Sequence, residues 1–151
     1  MDVSIVIPTK NGGNLFDEVL TAIDQQETKY SFEVICVDSG SSDQTIEIIK
    51  KHRCILKQIS KEEFGHGKTR NLGASLGTGE YIIFITQDAK PASNKWLENF
   101  INAMKSDETV VGGFGIHYPY PDCNILDKRD LYYHFKGFGE DNTIFYLDDK
   151  E

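Results

Sequence analysis

Short, nearly unbroken apolar runs alternate along this chain with stretches whose apolar residues recur at three- and four-residue spacing. That alternation constrains the fold more than any other feature of the sequence. Residues 3–7 (VSIVI) are mostly β-branched and run into Pro8, which predicts a buried strand. Leu15, Phe16, Val19, Leu20 and Ile23 then mark one face of a helix after the turn Asn11-Gly12-Gly13-Asn14. A second strand over 34–37 leads into a second helix, opened by Ser41 and Gln44 in capping-box order and carrying Ile46, Ile48 and Ile49. Residues 54–59 predict a third strand, 68–76 a short helix closed by Gly77 and Gly79, and 81–85 (YIIFI) a fourth strand. Trp96, Leu97, Phe100, Ile101 and Met104 mark a further helix, and 109–111 opens a fifth strand. Strands joined in this order need crossover connections, so the predicted class is α/β, a mostly parallel sheet with helices on both faces. Strands covered on both sides should be nearly continuous in apolar residues, as these are apart from 54–59, which Lys57 and Gln58 make the weakest.

Composition narrows the function classes. A net charge of −8, from 16 basic and 24 acidic residues, and a pI near 5.0 argue against a general nucleic-acid binder, which would normally carry a basic face. No apolar run approaches the roughly 20 residues of a membrane-spanning helix, and the opening MDVSIVIPT lacks the pattern of a secretory signal. Cys36, Cys54 and Cys123 are odd in number with no C-x-x-C spacing. The first two lie in apolar runs as small hydrophobes, so the chain reads as cytosolic and free of disulfides and zinc. The character changes beyond Ile116. Residues 117–151 hold eight acids, four bases and a cluster of aromatics including Tyr118, Tyr120, Tyr132, Tyr133, Phe135 and Phe138. The division is therefore a core over 1–116 and a second stretch over 117–151 in which no fold pattern is legible.

Ligands of open α/β sheets bind outside the carboxyl ends of the strands. The unusual polar residues gather there: Pro8-Thr9-Lys10-Asn11 after the first strand, Asp38-Ser39-Gly40-Ser41 after the second, Thr86-Gln87-Asp88 after the fourth. Each has a plainer reading. Asp38 suits an Asx-turn, Asp43 the first turn of the second helix, and Asp88 the turn before Pro91. Thr9, Asn11 and Asn14 suit strand-end and turn positions. Lys68 and Arg70 stand near a helix start, where cations oppose the dipole and call for an anionic partner. Two carboxylates, each directly ending an apolar strand, favour a composite site. KNGGNL after the first strand is neither GxGxxG nor GxxxxGK[ST], and no HExxH or GxSxG occurs. His52, His66, His117 and His134 show no metal-ligand spacing.

The blocks IVIPTKNGG, VICVDSGSSDQT and GKTRNLGASLGTGEYIIFITQDA, with the helix at Trp96-Leu97, resemble the family 2 glycosyltransferases of GT-A fold over roughly residues 3–105. The form Thr86-Gln87-Asp88-Ala89 is similar to the bacterial rhamnosyltransferase-like subgroup, whose donor is dTDP-rhamnose. The resemblance implies inverting transfer of a sugar from a nucleoside-diphosphate donor to a glycan or lipid-linked acceptor in polysaccharide assembly. By position it implies donor contacts from Pro8, Thr9, Asn11, Asp38, Ser39, Lys68, Arg70, Gln87 and Asp88. Asp88 matches the last acid of the family's DxD motif, and Thr86 stands where the first acid is usual. A carboxylate about 4 Å from a phosphate charge is repelled by roughly 4 kcal/mol at an effective dielectric near 20. Mg²⁺ or Mn²⁺ on Asp88 answers that repulsion.

The family's base is a carboxylate, often in an Glu-Asp pair. Asp141 in Glu140-Asp141 has that form but stands only 53 positions past Asp88, and a solvated loop is the stronger reading of it. The resemblance further implies an acceptor-side region of which 117–151 is the start, an incomplete C-terminal portion, and a cytoplasmic location with peripheral contact at the inner face of the plasma membrane. Two rival readings stay open: a sugar nucleotidyltransferase of related fold, and a non-catalytic nucleotide-binding or interaction module. Oligomeric state is not legible.

Overall fold

Four strands, β1 (Val3–Thr9), β2 (Phe32–Asp38), β3 (Ile55–Gln58) and β4 (Tyr81–Phe84), form a parallel sheet of order β3-β2-β1-β4. This is the arrangement in the computed structural model, which describes residues 1–138. The connecting helices are α1 (Gly13–Asp24), α2 (Thr45–Lys51) and α3 (His66–Leu76); α4 (Trp96–Met104) and α5 (Ile125–Phe135) follow. From β1 the chain steps to β2 and β3 in one direction, then returns past both to place β4 on the other side of β1. With right-handed crossovers the first two connections cover one face and α3 the other. The expectation of a mostly parallel sheet with helices on both faces is met.

The core follows from the sequence periods. α1 buries Phe16, Val19, Leu20 and Ile23, each worth about 1.5–3 kcal/mol when fully removed from water. Opposite them, Val6, Ile35 and Val37 form a cluster with Ile59 and Leu72. α3 reaches that face through Gly73, where a Cβ would collide with Val6 and stand 3.3 Å from Val37 Cγ2. Between α1 and α2, the buried His52 ring faces Asp17 Oδ1 at 2.7 Å and Asp24 Oδ2 at 2.5 Å. Lys51 bonds the same Asp17 at 2.8 Å. The Lys51 ammonium first, then His52, hold the Asp17 carboxyl below its usual range. Cys36 is buried in β2, and the Cys54 thiol beside it together with burial push its own thiol up, which keeps it protonated.

Three expectations are corrected. The second helix starts at Thr45 rather than Ser41, and its N-cap Gln44 makes no side-chain cap bond. Ser41 is engaged elsewhere, as described below. No strand forms over 109–111: Asp107 Oδ1 accepts from Thr109 N at 2.8 Å and from its hydroxyl at 2.6 Å, and Val111 is 94% exposed. A local side-chain turn has captured donors that a ladder would need. Finally, the stretch past Ile116 holds a helix the sequence did not disclose. Asn124 caps α5 by accepting from Leu126 N at 2.9 Å and Asp127 N at 3.0 Å.

The chain divides into two compact units, Met1–Asn99 and the part from Phe100 onward. The sheet, α1–α3 and every candidate site residue except Asp141 lie in the first. In the second, Phe114, His117, His134, Phe135 and Phe138 form a cluster of ring contacts. Among the described residues no helix is long and apolar enough to cross a membrane.

Candidate functional site

Strand order reverses at β1, which has β2 on one side and β4 on the other. The crevice beyond the carboxyl ends of β1 and β4 is therefore the topological switch point, where open α/β sheets bind ligands. Pro8 helps to open it. The Val6 carbonyl accepts from Ile85 N at 3.2 Å, the last β1–β4 bond, after the final paired residues Val6 and Phe84. Two residues on, Pro8 turns the same edge toward β4 and has no N–H to continue the ladder. On the β2 side β1 stays paired to its end, with Thr9 opposite Asp38 and the Ser39 N–H on the Thr9 carbonyl at 3.0 Å.

Asp38 is fully buried. Its Oδ1 accepts from Gly40 N and Ser41 N, both at 3.0 Å, and Oδ2 from the Ser41 hydroxyl. This is the Asx-turn anticipated as its plainer reading. Gly40, at φ +90°, makes the sharp reversal possible. Beside Asp38, the Thr9 side-chain oxygen is buried and has no hydrogen-bond partner among the described residues. Leaving a hydroxyl so costs about 1–3 kcal/mol, and such an orphan calls for a partner from outside the protein, an ordered water or a ligand.

The loop from β1 to α1 is suspended by side chains from elsewhere. Lys10 N donates to Gln87 Oε1 at 2.8 Å, Asn11 N to Ser41 Oγ at 2.8 Å, Gly12 N to Thr45 Oγ1 at 2.9 Å, and Gly13 N to Asp43 Oδ2 at 3.1 Å. Asn11 returns a bond by accepting from Ser42 N at 2.9 Å. Asn11 at φ +49° and Gly13 at φ +55° are held in the left-handed region, so the network sustains a backbone that Asn and Gly tolerate best. Asp43 lies ahead of α2, not in its first turn, and its charge meets the N-terminus of α1. The Thr45 hydroxyl at 2.6 Å, with the Thr45 and Gly13 amides, holds its carboxyl below the usual range against the opposing effect of burial. Four consecutive amides are thus occupied. A Gly-rich phosphate cradle needs such donors free, so this loop does not act as one, which counts against the nucleotidyltransferase reading.

The remaining predicted residues sit around the same rim. Asp88 is exposed in the turn beyond β4, where Ala89 N donates to the Thr86 carbonyl at 3.1 Å. Lys68 and Arg70 are in the first turns of α3. Arg70 Nη1 donates back to the His66 carbonyl at 3.1 Å. Lys68 lines a cavity of about 330 Å³ with Lys57, Gln58, Ile59, Glu63, Thr69 and Leu72, beside the carboxyl end of β3. Asp141 lies outside the described residues. Ser41, Asp43 and Thr45, which hold the loop, were not singled out as site residues. Their signal in the sequence is only an unusually polar run from Ser39 to Thr45 between a strand and a helix.

No three His, Cys, Asp or Glu side chains among the described residues converge as a ligand set. The rim offers a divalent cation one carboxylate, Asp88. That fits a hard cation completed by phosphate oxygens and water, since Mg²⁺ is ordinarily held through one or two carboxylates with substrate phosphates. It does not fit a preformed all-protein cage.

Comparison with known proteins gives a consistent picture. Residues 4–148 match a family described as glycosyl transferase family 2. The O-antigen chain rhamnosyltransferase RfbN of Salmonella typhimurium is 38% identical over 128 residues, which are 83% of this chain and 40% of that protein. Staphylococcus aureus TarS 1–349 in complex with UDP-GlcNAc shares the fold at a TM-score of 0.58 and 30% identity, over 69% of this chain and 31% of that one. The mannosyltransferase PcManGT from Pyrobaculum calidifontis in complex with GDP-Man and Mn²⁺ gives a TM-score of 0.61 and 27% identity, over 71% of this chain and 33% of that one. The matched region thus spans well under half the length of each of these proteins.

Proposed function

The chain belongs to glycosyl transferase family 2, and from that premise we propose that its carboxyl rim binds the nucleoside-diphosphate sugar donor of an inverting glycosyltransferase. One observation carries the reading: the buried, unpartnered Thr9 hydroxyl, standing at the switch point with Asp38 ending the strand on one side and Asp88 in the turn beyond the strand on the other. Thr9, Asn11, Asp38 and Ser39, with Pro8 opening the crevice, receive the nucleoside. Asp38 accepts from base or ribose donors, and Arg70 and Lys68 face the anionic part of the donor. Asp88 would hold Mg²⁺ or Mn²⁺, which when bound neutralises the charge on the leaving diphosphate. The role of the chain here is to position donor and counter-charge; a base deprotonates the acceptor hydroxyl, which displaces the nucleotide at the anomeric carbon.

The finer reading is that the donor is dTDP-rhamnose and the acceptor a glycan or lipid-linked glycan at the cytoplasmic membrane face. Its support is the Thr86-Gln87-Asp88-Ala89 form and the likeness to the Salmonella rhamnosyltransferase. Residues 1–116 then serve as the donor-binding core and 117–151 as the start of the acceptor side. Calorimetric titration with dTDP and with UDP, each with and without Mn²⁺, tests the proposal. Binding that tightens with Mn²⁺, and tighter for dTDP, is expected; a folded sample that binds neither nucleotide in either condition overturns it.

A further inference from the structure

We propose that Gln87 is a positioning residue, whose side-chain amide takes the place of the peptide pairing that β1 and β4 give up at the switch point and so fixes where Asp88 stands against the donor rim. The proposal rests on the donor-binding reading above for what Asp88 does, and on the geometry alone for the bridge. Residues 4, 6, 8 and 10 turn the same edge of the β1 backbone toward β4. The pairs Ser4–Ile82 and Val6–Phe84 use that edge, Ile85 N closes on the Val6 carbonyl, and Pro8 then breaks the series. At Lys10 the edge is used again, by a side chain. Gln87 Oε1 accepts from Lys10 N at 2.8 Å and Gln87 Nε2 donates to the Lys10 carbonyl at 3.0 Å. A carboxamide has the donor and acceptor of a peptide group, so one residue on the β4 side reproduces both bonds of a ladder position.

Two consequences follow for the site. Both ends of the Gln87 amide are engaged across 77 residues of sequence, which gives it a bridging role and leaves one N–H and one lone pair for any donor contact. Room for the bridge is reserved by Gly12. A Cβ there would stand 3.3 Å from Gln87 Oε1 and 2.7 Å from Phe16 Cβ, closer than a side chain can be accommodated without displacing one of them. Because Asp88 is the next residue, the separation between the β1 end, where Thr9 lies, and the carboxylate on the other bank of the crevice is set by these two hydrogen bonds. A single carboxylate depends on placement more than a full ligand cage would, and partners that orient a metal ligand are typically worth 10–100-fold in metal affinity.

The experiment compares wild type with Gln87→Ala and Gln87→Met. Met keeps the length and apolar bulk while removing both bonds, so it separates bridging from space filling. Amide hydrogen exchange on the ligand-free protein is read at Lys10, with Val6 and Ile35 as internal standards. Nucleotide affinity for dTDP and UDP is read with and without Mn²⁺. Lys10 exchange is expected to quicken about tenfold or more in both variants while Val6 and Ile35 hold. The tightening produced by Mn²⁺ is expected to shrink about 10–100-fold, by a larger factor than any fall in metal-free affinity. Unaltered Lys10 exchange, a Met variant that behaves as wild type, or a full Mn²⁺ effect in a folded Gln87→Ala protein each overturn the proposal. If wild type binds no nucleotide, the donor-binding reading falls with the role given to Asp88, and Lys10 exchange still decides whether the bridge exists.

Discussion

At the amino rim of the sheet Glu33 gathers hydrogen bonds from three groups: the Ser4 hydroxyl at 2.7 Å, Thr78 N at 2.6 Å and the Thr78 hydroxyl at 2.9 Å. At the carboxyl rim Asp38 also gathers three, from Gly40 N, Ser41 N and the Ser41 hydroxyl. The difference lies in where the donors come from. Those of Glu33 are 29 and 45 residues away, on β1 and on the approach to β4, so the carboxylate ties separate elements together. Burial pushes the Glu33 carboxyl up, and the bonds from Thr78 and Ser4 outweigh it, leaving it below the usual range. The donors of Asp38 are two and three residues away, so its own bonds lie within one turn and reach the β1–α1 loop only through Ser41, whose oxygen accepts from Asn11 N. Long-range satisfaction builds structure, whereas local satisfaction next to an orphaned hydroxyl leaves a rim able to receive something.

The first way to break this contrast is at the amino rim. In Gly79→Ala the new Cβ would stand 2.5 Å from Ser4 N and 2.6 Å from the Val3 carbonyl carbon. Backbone cannot withdraw as a side-chain tip can, so a loss of about 3 kcal/mol, or roughly 15 °C in melting temperature, is expected. Thermal denaturation reads it, and a variant melting within a few degrees of wild type means this rim is not the rigid one.

Next in size is Asp38→Ala, expected to cost about 2 kcal/mol by orphaning its donors and to weaken nucleotide binding with or without Mn²⁺. Asp88→Ala, on an exposed turn, should move stability by under about 0.5 kcal/mol and remove only the Mn²⁺-dependent part of binding. Calorimetry that found the two variants alike would contradict the roles assigned to the two banks of the crevice.

How much of this could be read beforehand depends on how far each partner lies along the chain. β1, β2 and β4 were legible because their β-branched and aromatic residues are continuous, although only β1 and β2 are covered on both faces and β4 leaves Ile82 and Phe84 exposed. Thr109 to Val111 has the same residue types, yet Asp107 offers the backbone a nearer bond. The capping box at Ser41 was outcompeted in the same way, since the Ser41 hydroxyl goes to Asp38 three residues back. α5 lacked the amphipathic stripe by which helices are recognised, with Ile125 81% and Leu126 57% exposed; Asn124 as a cap was its one signal. At the site, the rule of strand ends brought Thr9, Asp38 and Asp88 to one rim from sequence. The roles of Asp43, Thr45 and Gln87 were hidden because the loop amides they hold lie 30, 33 and 77 residues away, and no local pattern encodes such a bond.

A smaller effect sharpens the contrast from the other side. Thr9→Val replaces the orphaned hydroxyl with a methyl of similar size. If that hydroxyl is kept for a ligand, the variant should be as stable as wild type or more so, by up to about 1 kcal/mol, and bind nucleotide about tenfold less tightly. Opposite movement of stability and affinity is the signature to look for. A variant that loses stability would show that the oxygen is satisfied within the fold.

The smallest expected change concerns acid. Asp43 joins the N-terminus of α1 to the start of α2 through Gly13 and Thr45, and its carboxyl is held below the usual value of 3.8, chiefly by the Thr45 hydroxyl. A carboxyl with a lower pKa folded than unfolded binds fewer protons when folded, so its stabilisation is complete above the unfolded value and fades as pH falls through the folded one. Asp43→Asn should therefore be less stable than wild type at pH 7, by about 1 kcal/mol at this exposed position after solvent screening. The two proteins should converge at the acid end of the range, below pH 3.8. Denaturant midpoints at the two pH values test this. A gap that persists unchanged in acid would assign the tie to hydrogen bonding that Asn disrupts, leaving charge at the α1 N-terminus with no part in holding the loop.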